Sequence, residues 1–496
     1  MKNKILVLIG FLLTTFFSYA QNEVDILRYS NTFMGGSARY MGMSGAFTAL
    51  GGDLSTLATN PAGLGVYKKS EVLFTPTIFV ANNESNYLAG ETMQGDQRYN
   101  FNFNNIGIIA SYDLGNEDGF CNVNFGFGYN KKQNFNNDYS FKGRNTNTSL
   151  LDGLAENVNN DYISIYEDLA LDGGLLFNNY EGDPLEKYYN DFSYNDEIAE
   201  VRIPYDLYQS KSVSTKGSLG EIDFSMGVNY SHLIYFGFTI AIENLRYVEN
   251  FTYREYETES TEIPIFEDYK IEQELEVTGR GASFKFGMLA TPINWLRIGA
   301  AFHTPVFYSL HDNYSYTIDS HFENADYNAS SVINGEYDYK LQTPMKMLGG
   351  IAFVLDKYAI ISADYEYIDY TSGQLNSETN TDEFDDANQS AKDNFTQAHN
   401  FKVGAEYRYG PFSIRGGAAV YGSPYKDITN RLDGVTKSYS GGFGIKGDVA
   451  YFDLGVVYSE VGETFYMYNV DNIENLTRGD LTSNKMRVLF TVGLKF

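Results

Sequence analysis

The most reactive arrangement of residues lies near the N-terminus. Residues 42–46 read Gly-Met-Ser-Gly-Ala and hold Ser44 between glycines. A hydrolase nucleophile elbow needs a glycine where Ala46 stands, and a preceding strand that presents the serine. No such strand precedes Ser44, and Gly42, Gly45 and Gly51 match a phosphate-binding loop only loosely. We therefore expect no catalytic residue here and no enzyme.

Five histidines could act as bases or metal ligands. His232 and His399 have no evident serine or aspartate partner of the kind that a catalytic triad requires. His303 and His311 are expected to face an interior, and His321 to lie in an outer loop. No close His or Tyr pair marks an axial haem site. The histidines predict neither a catalytic site nor a metal or cofactor, and a haem receptor stays open as an alternative.

The charge balance excludes one large class of partner. The formal net charge is −28, with 36 basic against 64 acidic residues. Without a basic patch the chain has nothing to neutralise phosphates, so no nucleic acid is expected as a partner. The acidic run at 382–386 is expected in a solvated loop, because no stretch keeps a calcium-loop spacing. The single cysteine, Cys121, is expected on a strand without a chemical role.

The first twenty residues have the features of a secretory signal peptide. Lys2 and Lys4 precede an apolar stretch at 5–17, and Ser18 and Ala20 occupy the two positions that a signal peptidase reads. We assign 1–20 to this peptide. No later segment has the roughly 18–20 uninterrupted apolar residues of a membrane helix.

Alternation of apolar and polar residues dominates the rest of the chain. One parity holds Leu296, Ile298, Ala300, Phe302, Val306 and Tyr308, and the other holds Arg297, Gly299, His303, Ser309 and His311. In a strand the two sets point to opposite faces. The last segment repeats the pattern, with Met486, Val488, Phe490, Val492, Leu494 and Phe496 on one face.

About fourteen such runs lie between Glu71 and Phe496. The connections alternate between short turns and long polar loops, the longest of which spans 140–220. An even strand count, alternating loop lengths and abundant Tyr, Phe, Gly and Asn are typical of an outer-membrane barrel. The predicted fold is all-β, a transmembrane antiparallel β-barrel over 71–496. A C-terminal Phe496 closing the last strand predicts recognition by the barrel-assembly machinery.

Residues 21–70 have a different composition, with small side chains and little charge in "SGAFTALGGDLSTLATNPAGLGVY". We expect two short helices at 42–50 and 53–59, with Ser44 and Asp53 as N-caps. Pro61 should push Asn60 out of the helical region and end the second helix. Helices this short need a surface to pack against, so 21–70 is predicted to be a hatch in the barrel lumen.

This stretch, together with "NTFMGGSARYMGMSGAF" and the barrel that follows, resembles the FadL/TodX-type outer-membrane transporters of hydrophobic compounds. The Bacteroidetes branch often labelled hemin receptor is the most similar, over nearly the whole mature chain. The resemblance implies that the hatch blocks the lumen and that Asn60, Pro61 and Ala62 position it. It also implies a monomer that takes up its ligand passively and releases it by a hatch shift or a strand kink. Exit sideways into the membrane and exit to the periplasm both stay open.

The longest loop holds two stretches with helical spacing. Leu150, Leu151 and Leu154 lie in one, and Ile165 and Leu169 in the other. One interpretation is that the two helices pack on each other and cap the barrel. The other is that they also form an outward-facing apolar groove that captures hydrophobic molecules, since an exposed apolar surface needs a reason.

Several charged residues share the lumen-facing parity. The network predicted from them comprises Arg297, Lys346, Asp364, Glu366, Glu406, Arg408 and Arg415, with Lys285, Lys402, Lys446, Asp453 and Arg487 on the same face. Most lie near short turns and should ring the periplasmic end. They either pair with each other to hold the hatch, or one or two cations bind a ligand carboxylate, because a buried charge must be paired.

The sequence thus favours a multi-pass channel in the outer membrane of a Gram-negative bacterium. Its expected partners are a hydrophobic small molecule, such as a long-chain fatty acid, and outer-membrane lipid. The ligand would be captured by the outer loops and would then move past the hatch. The alternative is a surface receptor or binding protein for haem or another ligand.

Overall fold

The computed structural model describes residues 23–31, 33, 35–87, 94–146, 148–177, 188–190, 195–196, 201–202, 207–257, 266–377, 383–426, 434–468 and 478–496. The signal peptide predicted at 1–20 lies outside these residues. Among the described helices, none is both long and apolar enough to cross a membrane.

Fourteen antiparallel strands form a closed barrel, which confirms the predicted fold class and strand number. They are β1 Glu71–Tyr87, β2 Gln94–Asp113, β3 Phe120–Asn134 with Asn137–Asn145, β4 Leu207–Tyr230, β5 Ile234–Glu257, β6 Phe266–Ile293, β7 Leu296–His303 with Phe307–Phe322, β8 Ala329–Gln342 with Lys346–Leu355, β9 Ala359–Asp369 with Gln374–Ser377, β10 Gln397–Tyr409, β11 Phe412–Tyr421, β12 Thr436–Lys446, β13 Ala450–Tyr466 and β14 Arg478–Lys495. A separate two-stranded pairing joins Asn195–Asp196 to Val201–Arg202.

The barrel closes where its first strand pairs with its last. β1 and β14 run antiparallel from Glu71 opposite Lys495 to Tyr87 opposite Gly479. Backbone hydrogen bonds of 3.0 Å in both directions between Ser70 and Phe496 extend this seam by one residue pair. Closure removes the unpaired edges that a lipid-exposed sheet does not tolerate.

The outer face of the wall is apolar, as the alternation predicts. Ile298, Phe286, Val492 and Leu494 are each about half exposed. The lumen-facing residues between them are buried. Since successive side chains of a strand point to opposite faces, this pattern makes a wall that contacts lipid on one side only.

The predicted parity fails in one place, on β7. The strand breaks at Thr304-Pro305-Val306, where Pro305 has no N–H to donate to the ladder. Before the break Ile298 faces outward; after it Phe307 is exposed, while Tyr308 is buried in the lumen. The prediction that His311 faces the lumen is therefore wrong, because the break exchanges the two faces.

In the described part of the chain, five α-helices lie inside or above the wall: α1 Glu23–Ser30, α2 Ala38–Met41, α3 Leu150–Asn159, α4 Ile165–Asp172 and α5 Asp385–Asn394. Short 3-10 helices are Leu54–Leu57, Pro61–Val66, Ala325–Tyr327 and Tyr370–Ser372. The helix predicted at 42–50 is wrong. This stretch consists of turns, and Ser44 has a φ of 52°, so it is not an N-cap.

The second predicted hatch helix is partly confirmed. Asp53 is an N-cap, accepting a hydrogen bond of 3.0 Å from the Ser55 N–H, but the helix is a 3-10 turn that ends at Leu57. Asn60 has extended backbone with φ −131°, as the following Pro61 requires. Pro61 then begins the next 3-10 helix.

Candidate functional site

Three layers of buried side chains fill the lumen from the outer end to the short-turn end. α3 and α4 form the first layer, which we call the cap, with Leu151 and Leu169 in its core. The middle layer surrounds α1 and α5, with Ile26 and Tyr29 buried. Residues 35–70 of the predicted hatch, for which we keep the name hatch from here on, form the last layer. The two cavities beside Tyr29 and Tyr40 hold about 20 Å³ each, roughly the space of one water molecule.

Asn60 joins the hatch to itself and to the wall. Its side-chain amide donates to the Thr48 carbonyl at 2.6 Å and to the Met288 carbonyl on β6 at 3.2 Å. Its side-chain oxygen accepts from the Ala62 N–H at 3.1 Å, which caps the 3-10 helix at Pro61. All three residues of the predicted hatch motif are fully buried.

Glycines in the wall make room for this motif. A Cβ added at Gly287 on β6 would overlap the Asn60 side-chain oxygen, and one at Gly237 on β5 would overlap the backbone of Pro61 and Ala62. The hatch therefore sits directly on the wall backbone at these two positions. Sequence reasoning missed these seats, although an isolated glycine in a strand signals close backbone approach.

The predicted lumen charges divide into separate groups rather than one network. Glu406 accepts from Arg39 of the hatch at 3.0 Å, from Arg415 at 2.6 Å and from Arg408 at 2.6 Å. Arg415 also contacts Asp453 at 2.5 Å. This group lies at the short-turn end, where the sequence places it.

Three of the other predicted members contact the hatch or α1, and the fourth pairs with a lysine of the wall. Arg297 donates to the Leu50 carbonyl at 2.6 Å, and Asp364 accepts from the Thr48 N–H at 2.8 Å. Lys346 lies 3.4 Å from the Ser30 carbonyl of α1. Glu366 pairs with Lys402 at 3.3 Å.

A second buried charge cluster, of which sequence reasoning named only Lys285, spans β3 to β6. Lys132 contacts Glu243 at 2.6 Å and Glu221 at 3.5 Å. Lys285 contacts Glu221 and also Asp223, the latter at 3.3 Å. The signal was present, because Glu221 and Asp223 alternate with the outward Ile222 and Phe224.

The cap buries the side chains that were predicted to capture ligand. Leu151, Leu154, Ile165 and Leu169 are buried, and Leu150 is partly buried against the same cluster. In this closed conformation these side chains form no outward-facing groove, so ligand capture by them stays a prediction, whereas both helices and their packing as a cap are observed.

Hydrogen bonds at the start of α3 and at the end of α4 fix the cap to the wall. Ser149 and Ser164 begin α3 and α4 with capping boxes. The Leu150 N–H donates to Glu255 of β5 at 3.0 Å, and the Ser320 hydroxyl donates to the Gly173 carbonyl at 2.6 Å. Within α4, burial raises the pKa of Tyr166 well above its ordinary value, so its phenol stays neutral.

All five histidines have polar partners. His303 is buried and contacts the Thr59 carbonyl at 2.6 Å. His232 contacts Asn229, His311 contacts Asp338, His321 contacts Asp268 and His399 contacts Tyr365. No group of three possible metal ligands occurs among the described residues.

The wall forks between β2 and β3. Their backbone register runs from Asp113 opposite Asn122 to Asn105 opposite Asn130 and ends there in the described chain. Beyond this point β2 pairs only with β1, and the second part of β3 pairs with β4. The outward Phe101 and Phe103 beside the fork are exposed, which places it within the apolar band.

Side chains bridge the fork where the backbone ladder is absent. Arg98 donates to both carboxylate oxygens of Asp138, at 2.9 and 2.8 Å. Ser140 donates to Asp96 at 2.8 Å, and Asn134 donates to Asn100 at 3.3 Å. We call these contacts the side-chain seam.

The hatch reaches the base of the fork. The Gly35 N–H donates to the Lys131 carbonyl of β3 at 2.8 Å, and the Asn104 amide of β2 donates to the Gly36 carbonyl at 2.6 Å. Asn104 is the extra residue of a bulge in the β1–β2 ladder. Hatch and fork are therefore in direct contact.

This architecture occurs in solved structures. A Pseudomonas aeruginosa FadL homologue is 12% identical and superposes with a TM-score of 0.55 over 94% of this chain and 100% of its own. The toluene transporter TodX of P. putida is 10% identical, with a TM-score of 0.53 over 93% and 99%. The chain has the FadL-type fold. No family model matches the sequence, and no curated protein matches it. Of these comparisons, the structural one alone detects the FadL-type fold.

Proposed function

We propose that the protein is an outer-membrane channel for the passive uptake of hydrophobic compounds, with long-chain fatty acids as one candidate class. The observation that carries this proposal is the apolar filling of the lumen from cap to α1, beside a wall that forks within the apolar band. A hydrophobic ligand could replace these contacts, whereas a polar solute would lose its hydration. The named activity of TodX, a toluene transporter, supports the same class.

Entry would occur through the cap. α3 and α4 would part and present Leu150, Leu151, Leu154, Ile165 and Leu169 to an incoming ligand. Their contacts with each other are apolar and non-directional, so a hydrophobic molecule can substitute for them. The cap is then the capture surface, in a conformation other than the closed one.

Release would occur sideways through the fork. The side-chain seam between β2 and β3 can open without breaking a backbone ladder, and the exposed Phe101 and Phe103 lie beside it. A ligand leaving here enters lipid directly and does not cross the seated hatch.

Phe496 would serve as the assembly signal, since its side chain is 69% exposed at the end of β14.

A reversible cross-link across the fork tests the route. Asn100 and Asn134 become cysteines in a Cys121→Ser background, and a short thiol-cleavable reagent joins them. We expect uptake of a labelled long-chain fatty acid by intact cells to fall at least fivefold and to recover on reduction. The matched control joins cysteines at Ser438 and Ser459, whose hydroxyls lie 3.0 Å apart across an intact ladder.

Each result has a defined meaning. Full uptake with the fork completely cross-linked would show that release does not use the fork. If cells with the reduced, uncross-linked protein take up the fatty acid no faster than cells that lack the protein, hydrophobic transport itself is contradicted. Loss of uptake in the control as well would assign the effect to rigidity of the wall.

A further inference from the structure

A larger cavity lies beneath the hatch and opens at the short-turn end of the barrel. Its volume is about 680 Å³, far larger than the cavities inside the lumen. The hatch contributes Arg39 and the Gly51-Gly52 turn, and the wall contributes Arg297, Arg408 and Lys446. We call this cavity the vestibule. The hydrophobic route described above does not use it.

The vestibule is positively charged in a strongly acidic protein. Seven cationic side chains and four carboxylates line it, while the whole chain carries a net charge of −28. The carboxylates are already engaged. Glu406 and Asp453 hold three arginines, and Glu71 pairs with Lys495 at 3.0 Å. Asp53 accepts from the Ser37 hydroxyl at 2.7 Å.

Three of the cations, Arg297, Lys357 and Lys446, have no carboxylate partner among the described residues. Arg297 donates through one terminal nitrogen to the Leu50 carbonyl, and its buried Nε has no hydrogen-bond partner. Lys446 forms no ion pair in the described chain. Arg297 and Lys446 line the vestibule together with Arg39 and Arg408, so these four cations surround one space. A cleft lined with one sign of charge between low-dielectric walls concentrates counter-ions.

Arginine favours a particular class of anion. Its planar guanidinium donates two parallel hydrogen bonds to phosphate or carboxylate oxygens, and charge-assisted bonds of this kind are stronger than neutral ones. An excess of three positive charges favours an anion with more than one negative charge. Apolar Leu50, Val66 and Val354 also line the vestibule and leave room for an organic group.

We propose that the vestibule binds a phosphate-class oxyanion from the periplasmic side, either free phosphate or a small organic phosphomonoester. The anion contacts Arg39 of the hatch together with Arg297 and Lys446 of the wall. It thereby joins two parts of the molecule that otherwise meet here through the Glu406 cluster and the Arg297–Leu50 hydrogen bond. Bound anion holds the hatch in its seat.

Calorimetric titration of the full-length protein in detergent tests the site, with inorganic phosphate and glycerol 3-phosphate as separate probes. Ionic strength is held constant with potassium chloride. We expect saturable binding to the wild type and at least a tenfold weaker affinity in the variant R297Q/K446Q. The control K392Q/K437Q removes the same charge from two exposed lysines on other parts of the chain and should bind as the wild type.

Heat-modifiable migration on gels verifies that each variant is a folded barrel. Tighter binding of glycerol 3-phosphate than of inorganic phosphate would identify the organic source, and the reverse would identify the free ion. Equal affinity in R297Q/K446Q and the wild type, or no binding of either probe to the wild type, would overturn the site. Hydrogen exchange at residues 51–53 should slow at least threefold with phosphate; unchanged exchange despite binding would overturn the role in holding the hatch.

Discussion

The side-chain amide of Asn60 donates to the carbonyl of Met288, 3.2 Å away on β6, and so links the hatch to the barrel wall. The same amide donates to Thr48 within the hatch. One buried side chain therefore fixes both the internal fold of the hatch and its position. Its importance follows from the cost of leaving a buried carbonyl without a donor, about 1–3 kcal/mol for each group.

Substitution of Asn60 should loosen the hatch in two steps. Asn60→Ser keeps a side-chain oxygen that can cap Ala62 but is too short for both donations, whereas Asn60→Ala loses all three hydrogen bonds. We expect local stability to fall by about 2 kcal/mol in the first and by about 3 kcal/mol in the second. Hydrogen exchange over residues 46–66 measures this. Equal exchange in the two variants would show that the cap does not contribute.

The close contact between Gly287 and Asn60 predicts that a larger residue at Gly287 lets ions pass through the barrel. Gly287→Ala places a methyl group on the Asn60 side-chain oxygen, so the hatch must move away from β6. Gly349→Ala is the matched control, because nothing lies within 4 Å of a Cβ added there on β8. We expect ion conductance in planar bilayers to rise at least fivefold for Gly287→Ala and to stay at the wild-type value for Gly349→Ala. An unchanged ion conductance for Gly287→Ala would mean that the hatch does not seal the lumen at this contact.

The Glu406 cluster predicts an asymmetry between its members. Arg39→Gln leaves Glu406 with Arg408 and Arg415, whereas Glu406→Gln leaves three guanidinium groups facing one another. Removing the shared carboxylate should cost about 3 kcal/mol and removing one arginine about 1 kcal/mol. The midpoint of heat-induced loss of the folded gel band should drop further for Glu406→Gln. The opposite order would contradict a single shared counter-ion.

We expect the cap to open when a large side chain in its core is replaced by a small one. Leu169 is fully buried in the cap, and Leu169→Ala should weaken cap packing by about 2–5 kcal/mol. Tyr162→Ala is the control, because Tyr162 lies between α3 and α4 with most of its side chain exposed. Limited proteolysis within 148–177 should speed up at least tenfold for Leu169→Ala only. If the cap gates entry, binding of a fluorescent fatty acid should also become faster.

The wall could be predicted from local sequence. Alternation along Met486 to Phe496 identifies an outward and an inward face, because the pleat of a strand has a period of two residues whatever it pairs with. Asp53 and the Asn60-Pro61 pair were readable for the same reason, since capping and proline geometry involve only neighbouring residues. The resemblance in the hatch stretch pointed to the FadL-type fold that the structure shows.

Closure of the barrel decided the rest. The break at Pro305 exchanges the faces of β7 and places Tyr308 inside and His311 outside. Lys132, Glu221 and Glu243 meet because β3, β4 and β5 lie side by side in one register, although up to 111 residues separate them in sequence. The burial of Leu151 and Leu169 depends in the same way on the packing of the cap against distant strands of the wall.

By itself, the sequence determined which residues alternate, which turns are short and where the hatch chain bends. The tertiary structure decided where the ladder between β2 and β3 ends, which glycines seat Asn60 and which cations are left without a carboxylate. The physical reason is range. The alternation of strand faces and the capping of helices depend on neighbours along the chain. The glycine contacts of Asn60, the side-chain seam and the ion pairs form only after distant strands have closed around the hatch.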